Sequence, residues 1–171
     1  MIRLKTDLPT DARGDWFLTE FSCAIDAQRR ITLPSQWRSL DYRLNRFFLL
    51  PGRDESLQMV PAPAFVELLN KLRKVSFADR QAALAMATIG SMACECPCDR
   101  QGRFSMTPQL MQHAGLSDKA LLIGAVTTIQ IWEPDTWAAK RPDSDACLDV
   151  LQAIQEREDN LTDIFRKVTQ N

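Results

Sequence analysis

The chain has 171 residues, 45% of them hydrophobic and 25% charged, with a net charge of −1 and five cysteines. That composition supports a real core in one sizeable domain or two small fused ones and excludes wholesale disorder. No run of eighteen apolar residues occurs, which argues against a helical membrane span, and the odd cysteine count suits reduced thiols better than a disulfide framework.

Residues 1–15 are polar, contain Pro9 and Gly14 and lack an apolar segment, which predicts a loose N-terminal arm and no secretory signal. Residues 16–25 (WFLTEFSCAI) alternate as a strand does. Residues 26–30 predict a turn and Ile31-Thr32-Leu33 a short strand, after which Pro34 opens a helix through Trp37 and Leu40. Phe47 to Leu50 and Leu57 to Val60 read as a hairpin around Pro51-Gly52-Arg53-Asp54. A helix over about 62–75 follows, with Phe65, Leu68, Leu69 and Leu72 on one stripe. An Ala-rich helix over 78–89 then serves as a connector.

The second half repeats the order: a strand over 92–98, a turn over 99–103, and a strand at Phe104-Ser105-Met106. Thr107 N-caps a helix with Pro108 at its first position, and Gly115 ends it. Strands at 120–124 and 128–132 and a short helix after Glu133-Pro134-Asp135 complete it. The tail over about 145–168 is amphipathic through Leu151, Ile154, Leu161, Phe165 and Val168, and reads as a helix packing on its own body or meeting another copy.

At an offset of 73, Asp26 meets Asp99, Gln28 meets Gln101 and Arg30 meets Arg103; at 72, Gln58 meets Gln130. The matched order of elements is best explained as an internal repeat. Charge is segregated too. Arg29, Arg30, Arg38, Arg43 and Arg46 are opposed only by Asp41, whereas seven acids stand against Arg157 alone between positions 143 and 163. A basic patch can therefore exist on a chain of slightly negative net charge.

The segments AIDAQRRITLPSQWR, CDRQGRFSMTPQLMQHAGL and ALLIGAVTTIQIWEPDTW resemble the two half-motifs and the closing strand pair of the MraZ family, over residues 16 to about 140. The resemblance implies an α+β fold, mainly β: two tandem AbrB-type (SpoVT-AbrB) swapped-hairpin units forming a double-split β-barrel-like pseudo-dimer, plus a C-terminal helix. The expected divisions are an arm (1–15), a first unit (16–76), a connector (77–90), a second unit (91–140) and a helical tail (141–171). The resemblance also implies a transcriptional regulator, cytoplasmic and nucleoid-associated. Such a regulator binds double-stranded DNA at repeated promoter boxes of a division and cell-wall gene cluster, with subunits closing into a homo-oligomeric ring. The chain departs from the family pattern at Arg29, where a Gly is usual, at Thr107, where a Pro is usual, and at Met111, where an Arg is usual.

An Asp followed four residues later by an Arg reads structurally as an ion-paired turn, with the carboxylate accepting backbone N–H groups two residues on. Repetition favours a contact role as well. Asp26 and Asp99 are expected to fix the turns, with Arg30 and Arg103 projecting towards DNA, since a guanidinium fork matches phosphate or the guanine edge. Arg29, Arg38 and Arg100 are expected as supporting DNA contacts, Arg29 at phosphate. The second turn is expected to be the weaker, having lost flanking bases. Cys94, Cys96 and Cys98 share one strand face at a spacing unlike zinc knuckles, and read as core. No catalytic residue, metal, cofactor, small-molecule substrate or membrane partner is expected. The rival readings are a ring-forming interaction scaffold without DNA binding and, more remotely, a thiol redox or metal protein.

Overall fold

The computed structural model describes residues 16–74 and 78–156. The N-terminal arm, Val75 and the tail positions Leu161, Phe165 and Val168 lie outside the described residues. Contacts divide the chain into two units after Thr136. The first contains β1 (Glu20–Ala24), β2 (Arg30–Thr32), β3 (Arg46–Pro51), β4 (Leu57–Pro61), α1 (Ala62–Leu72), α2 (Arg80–Met92), β5 (Cys94–Pro97), β6 (Arg103–Ser105), α3 (Pro108–His113), β7 (Lys119–Gly124) and β8 (Ile129–Trp132). α4 (Pro134–Lys140) spans the division, and α5 (Ser144–Glu156) belongs to the second unit.

Six strands form an antiparallel sheet in the order β1-β7-β8-β4-β3-β5, and β2 pairs with β6 in a separate ribbon. This is the α+β class expected. The barrel-like closure is not: the sheet is open, with β1 and β5 at its edges. Both edge strands stop early for local reasons. Thr19, at φ 78, turns the chain just before β1, and β5 ends at Pro97, which has no N–H to donate to a further ladder.

Pairing crosses between the halves. β1 runs against β7, with Glu20 opposite Ile123, and β5 runs against β3, with Cys94 opposite Leu49. The sheet centre is β4 against β8, where Gln58 lies opposite Gln130. In the ribbon Ile31 lies opposite Phe104. Each of these central pairs joins residues matched in the sequence offset.

Strand alternation builds the core. Phe47, Leu49, Leu57, Met59, Cys96, Ala120, Leu122, Ile129 and Ile131 are buried, and their period of two places them on one face of the sheet. Ile31 and Leu33 from the first ribbon segment join the same cluster, as do Phe104 and Met106 from the second and Leu110 from α3. The alternate ribbon residues Thr32 and Ser105 are exposed, and Arg30 and Arg103 half-buried, so the ribbon turns its apolar side inward and its basic side outward. On the opposite sheet face Phe65 of α1 stacks on Phe48 at 4.1 Å. α1 keeps Val66, Leu68 and Leu69 exposed, so only part of its expected stripe is covered.

Two expected elements are corrected. The helix from Pro34 through Leu40 is a single 3-10 turn, Ser35–Trp37, and Leu40 is fully exposed. The buried Asn45 explains this: its side chain accepts from Ser39 N–H at 2.7 Å and donates to Ser39 C=O at 3.2 Å, holding that stretch out of helical register. The strand expected over 16–25 begins at Glu20; Phe17 makes only an isolated bridge to Val126. The second half follows expectation more closely. Thr107 Oγ1 accepts from Leu110 N–H at 3.2 Å. Gly115, at φ 59, closes α3 with bonds from its own N–H to Gln112 C=O and from Leu116 N–H to Met111 C=O.

Candidate nucleic-acid interface

The two Asp-x-x-x-Arg segments are built alike. In the first, Asp26 Oδ1 accepts the N–H groups of Gln28 (2.8 Å) and Arg30 (2.9 Å), while Oδ2 accepts Arg30 Nε (2.7 Å). In the second, Asp99 Oδ1 accepts from Gln101 and Arg103 N–H, both at 2.9 Å, and Oδ2 from Arg103 Nε at 2.7 Å. The backbone N–H of the arginine four residues on is the main cause that holds each carboxyl below its ordinary range, with the guanidinium and the intervening N–H adding to it. Arg30 and Arg103 therefore do not project freely. Each is anchored through Nε and oriented by its aspartate, and their Nη groups carry no hydrogen bond among the described residues.

Backbone bonds join the turns to the ribbon in matched fashion. Met106 N–H donates to Arg29 C=O at 3.0 Å, and Leu33 N–H donates to Gly102 C=O at 2.8 Å. Both turns enter the left-handed region, Arg29 at φ 60 and Gly102 at φ 77. A glycine reaches that region without cost, whereas Arg29 holds it against its own Cβ. The turns stand at opposite ends of the ribbon.

The remaining arginines are not distributed as the sequence order implies. Arg38 crosses to the second turn: its Nε donates to Leu33 C=O at 2.6 Å, and a Cβ placed on Gly102 would fall 2.6 Å from its Cζ. The expectation that the second turn lacks supporting bases is thus corrected, because the ribbon brings Leu33 beside Gly102. Arg100 is exposed in that same turn and lies over the Tyr42 ring at 5.6 Å, a contact not foreseen from sequence. Arg29 is exposed and donates Nε to Met106 C=O at 3.3 Å. Arg43 pairs with Asp41, Arg46 with Glu95 and Arg30 with Asp26, so of the basic window Arg29 and Arg38 are the arginines without an acidic partner among the described residues.

The thiols contribute no reactive centre to this surface. Cys96 and Cys98 are buried and Cys94 half-buried. Burial pushes the Cys96 thiol well above its ordinary value and Cys98 up to about 12. Among the described residues no cluster of His, Cys, Asp and Glu could hold a metal ion, and no helix is long and apolar enough to cross a membrane.

A family model described as "MraZ protein, putative antitoxin-like" matches residues 90–142, which include the second turn. The transcriptional regulator MraZ of Finegoldia magna is 32% identical over 135 residues, covering 79% of this chain and 93% of that protein. The chain belongs to the MraZ family. A MraZ from Alkaliphilus metalliredigens matches at the same identity and coverage. One from Thermomicrobium roseum is 32% identical over 72% of this chain and 86% of its own. These MraZ relatives carry the name of a transcriptional regulator, not of an enzyme. The three departures named from the sequence have structural counterparts. Arg29 takes the left-handed position, Thr107 caps α3, and Met111 packs against the core.

Proposed function

We propose that this chain is a DNA-binding transcriptional regulator that engages repeated promoter boxes, those of a division and cell-wall gene cluster, through the turns 26–30 and 99–103. The observation that carries the reading is the matched construction of the two turns at the ends of one ribbon, each offering an aspartate-oriented guanidinium. Arg30 and Arg103 sit at opposite ends of the three-residue ribbon, two positions or about 7 Å apart along it, so one ribbon presents both cations together. Arg30 and Arg103 are the groups proposed for phosphate or guanine, with Arg29, Arg38 and Arg100 as supporting cations and Asp26 and Asp99 as the residues that fix the turns.

We further propose that residues 16–76 and 91–140 are AbrB-type swapped-hairpin units joined by a connector (77–90) and flanked by an arm (1–15) and a tail (141–171). The exchange of β1 and β5 between halves supports this. Copies assemble as a ring in the cytoplasm, close to the nucleoid, and the exposed Val66, Leu68 and Leu69 on α1 with Leu84 and Ile89 on α2 supply apolar surface for that association. A ring displaying many turns against repeated boxes converts weak single contacts into useful affinity. The same apolar faces favour the second reading, an interaction scaffold without DNA binding.

A mobility-shift titration on a duplex from upstream of the chain's own coding sequence, at low and moderate salt, separates the two. Wild type is expected to bind with steep salt dependence, and the Arg30→Ala/Arg103→Ala variant to lose binding while its sedimentation is unchanged. Equal binding by that variant would remove the DNA-contact assignment and leave the scaffold.

A further inference from the structure

Arg29 and Arg38 reach the same place by different routes. Leu33 and Met106 are partners at the 73-residue offset, and so are Arg29 and Gly102. At the second turn, Leu33 C=O accepts from Arg38 Nε at 2.6 Å. At the first, the equivalent Met106 C=O accepts from Arg29 Nε at 3.3 Å. The serial equivalent of Arg38 is Met111, which has no donor and is packed against the core. The two arrangements compete at a given turn, because a Cβ on Gly102 would fall against the end of the Arg38 side chain and require it to move. One turn therefore has glycine with an arginine laid over it, and the other has an arginine in the glycine position with methionine where the covering arginine would start.

We propose that Arg29 and Arg38 are exchanged sources of one positioning guanidinium, a single copy at each turn, and that Arg38 makes the turn 99–103 a DNA contact equal to the turn 26–30. The charge consequence is direct. With Asp26 counted the first turn (Arg29, Arg30) carries a net charge of +1, and with Asp99 counted the second (Arg38, Arg100, Arg103) carries +2, so the second is not the weak partner. The backbone-bound guanidinium gives each turn a cation without an acidic partner among the described residues, in addition to the aspartate-paired one, and such a cation can neutralise a phosphate. The exchange also accounts for Arg29 holding φ 60: the side chain is retained there for its donor, against the backbone preference.

The proposal rests on the DNA-binding reading, so the test carries a second readout independent of DNA. Full-length wild type, Arg38→Met, Gly102→Ala, Arg38→Met/Gly102→Ala and Arg38→Met/Gly102→Arg are compared by thermal melting and by titration against the upstream duplex. Arg38→Met is expected to weaken binding about tenfold and to lower the slope of log affinity on log salt by about one, a change that a purely structural role would not produce. Gly102→Ala is expected to lower the melting temperature in both backgrounds, because φ 77 strains any side chain there, and to lower it further in the wild-type background, where the Arg38 side chain must also move. Arg38→Met/Gly102→Arg copies the first-turn solution into the second turn and is expected to restore both affinity, to within about threefold, and the salt slope. Additive melting effects of positions 38 and 102 would overturn the exchange. Wild-type affinity in Arg38→Met would overturn the contact role of Arg38. No binding by wild type would instead overturn the functional reading and the contact role with it, while the melting cycle still decides the exchange.

Discussion

Asp26 commits both carboxylate oxygens to its own turn, and Asp99 does the same. A carboxyl whose pKa is lowered by folding adds stability that is fully present above its unfolded value. That stability is lost as pH falls through the ordinary carboxylate range towards the lower folded value. Acid titration of wild type should therefore loosen both turns in that window, and hydrogen exchange at the N–H groups of Gln28, Arg30, Gln101 and Arg103 would report it. Asp26→Asn should flatten the change in protection relative to the intrinsic exchange rate at the first turn only, and protection there that does not change with pH in wild type would contradict the bonding scheme. The cysteines offer a second residue-level check. Cys147 is exposed, Cys23 and Cys94 are half-buried, and Cys96 and Cys98 are buried with thiols held protonated. Alkylation at neutral pH should follow that order, with Cys147 first and Cys96 and Cys98 resisting until the protein unfolds. Early labelling of Cys96 would place it outside the core.

At the scale of elements, β4 and β8 carry the centre of the sheet, and Met59 is fully buried between β3 and β8. Met59→Ala should cost about 2–5 kcal/mol, measured by denaturant unfolding; a loss near zero would mean the site collapses without a cavity. Gly124, at the end of β7, has no room for a side chain because a Cβ there would meet the backbone of Phe17 and Leu18. Gly124→Ala should force that segment away and destabilise by about 1–3 kcal/mol. Much of this scale was legible in the sequence. The period-two runs announced the strands, Thr107 and Gly115 announced both ends of α3, and the repeated aspartates announced the turns, because each signal lies within a few residues of its effect. What escaped depends on distance. The helix expected over 34–40 is stopped by Asn45, five residues beyond it. Arg38 was read with Arg29 and Arg30 because they are neighbours in sequence, yet the ribbon sets it against Gly102, sixty-four positions away.

For the whole molecule, neither half has a complete sheet of its own. β1 finds its partner in β7 and β5 finds its partner in β3, and the ribbon takes one strand from each half. Fragments 16–76 and 90–140 should each aggregate or melt without cooperativity, followed by circular dichroism on heating, and a well-folded monomer of either would refute the interdependence of the halves. Equimolar mixing of the two fragments should restore a cooperative transition if the exchange of strands is the cause. The pairing of β1 with β7 matters again while the chain is being made. Glu20 leaves the ribosome roughly a hundred residues before Ile123, a wait of about 5–20 s at bacterial elongation rates. During that interval Phe21 and Cys23 have no strand partner, whereas β3 already has β4 and later gains β5. A nascent first half of one chain can then meet the second half of another translated from the same message, so slowing elongation between residues 76 and 119 should increase the yield of intertwined chains that denaturation and refolding at low concentration would separate.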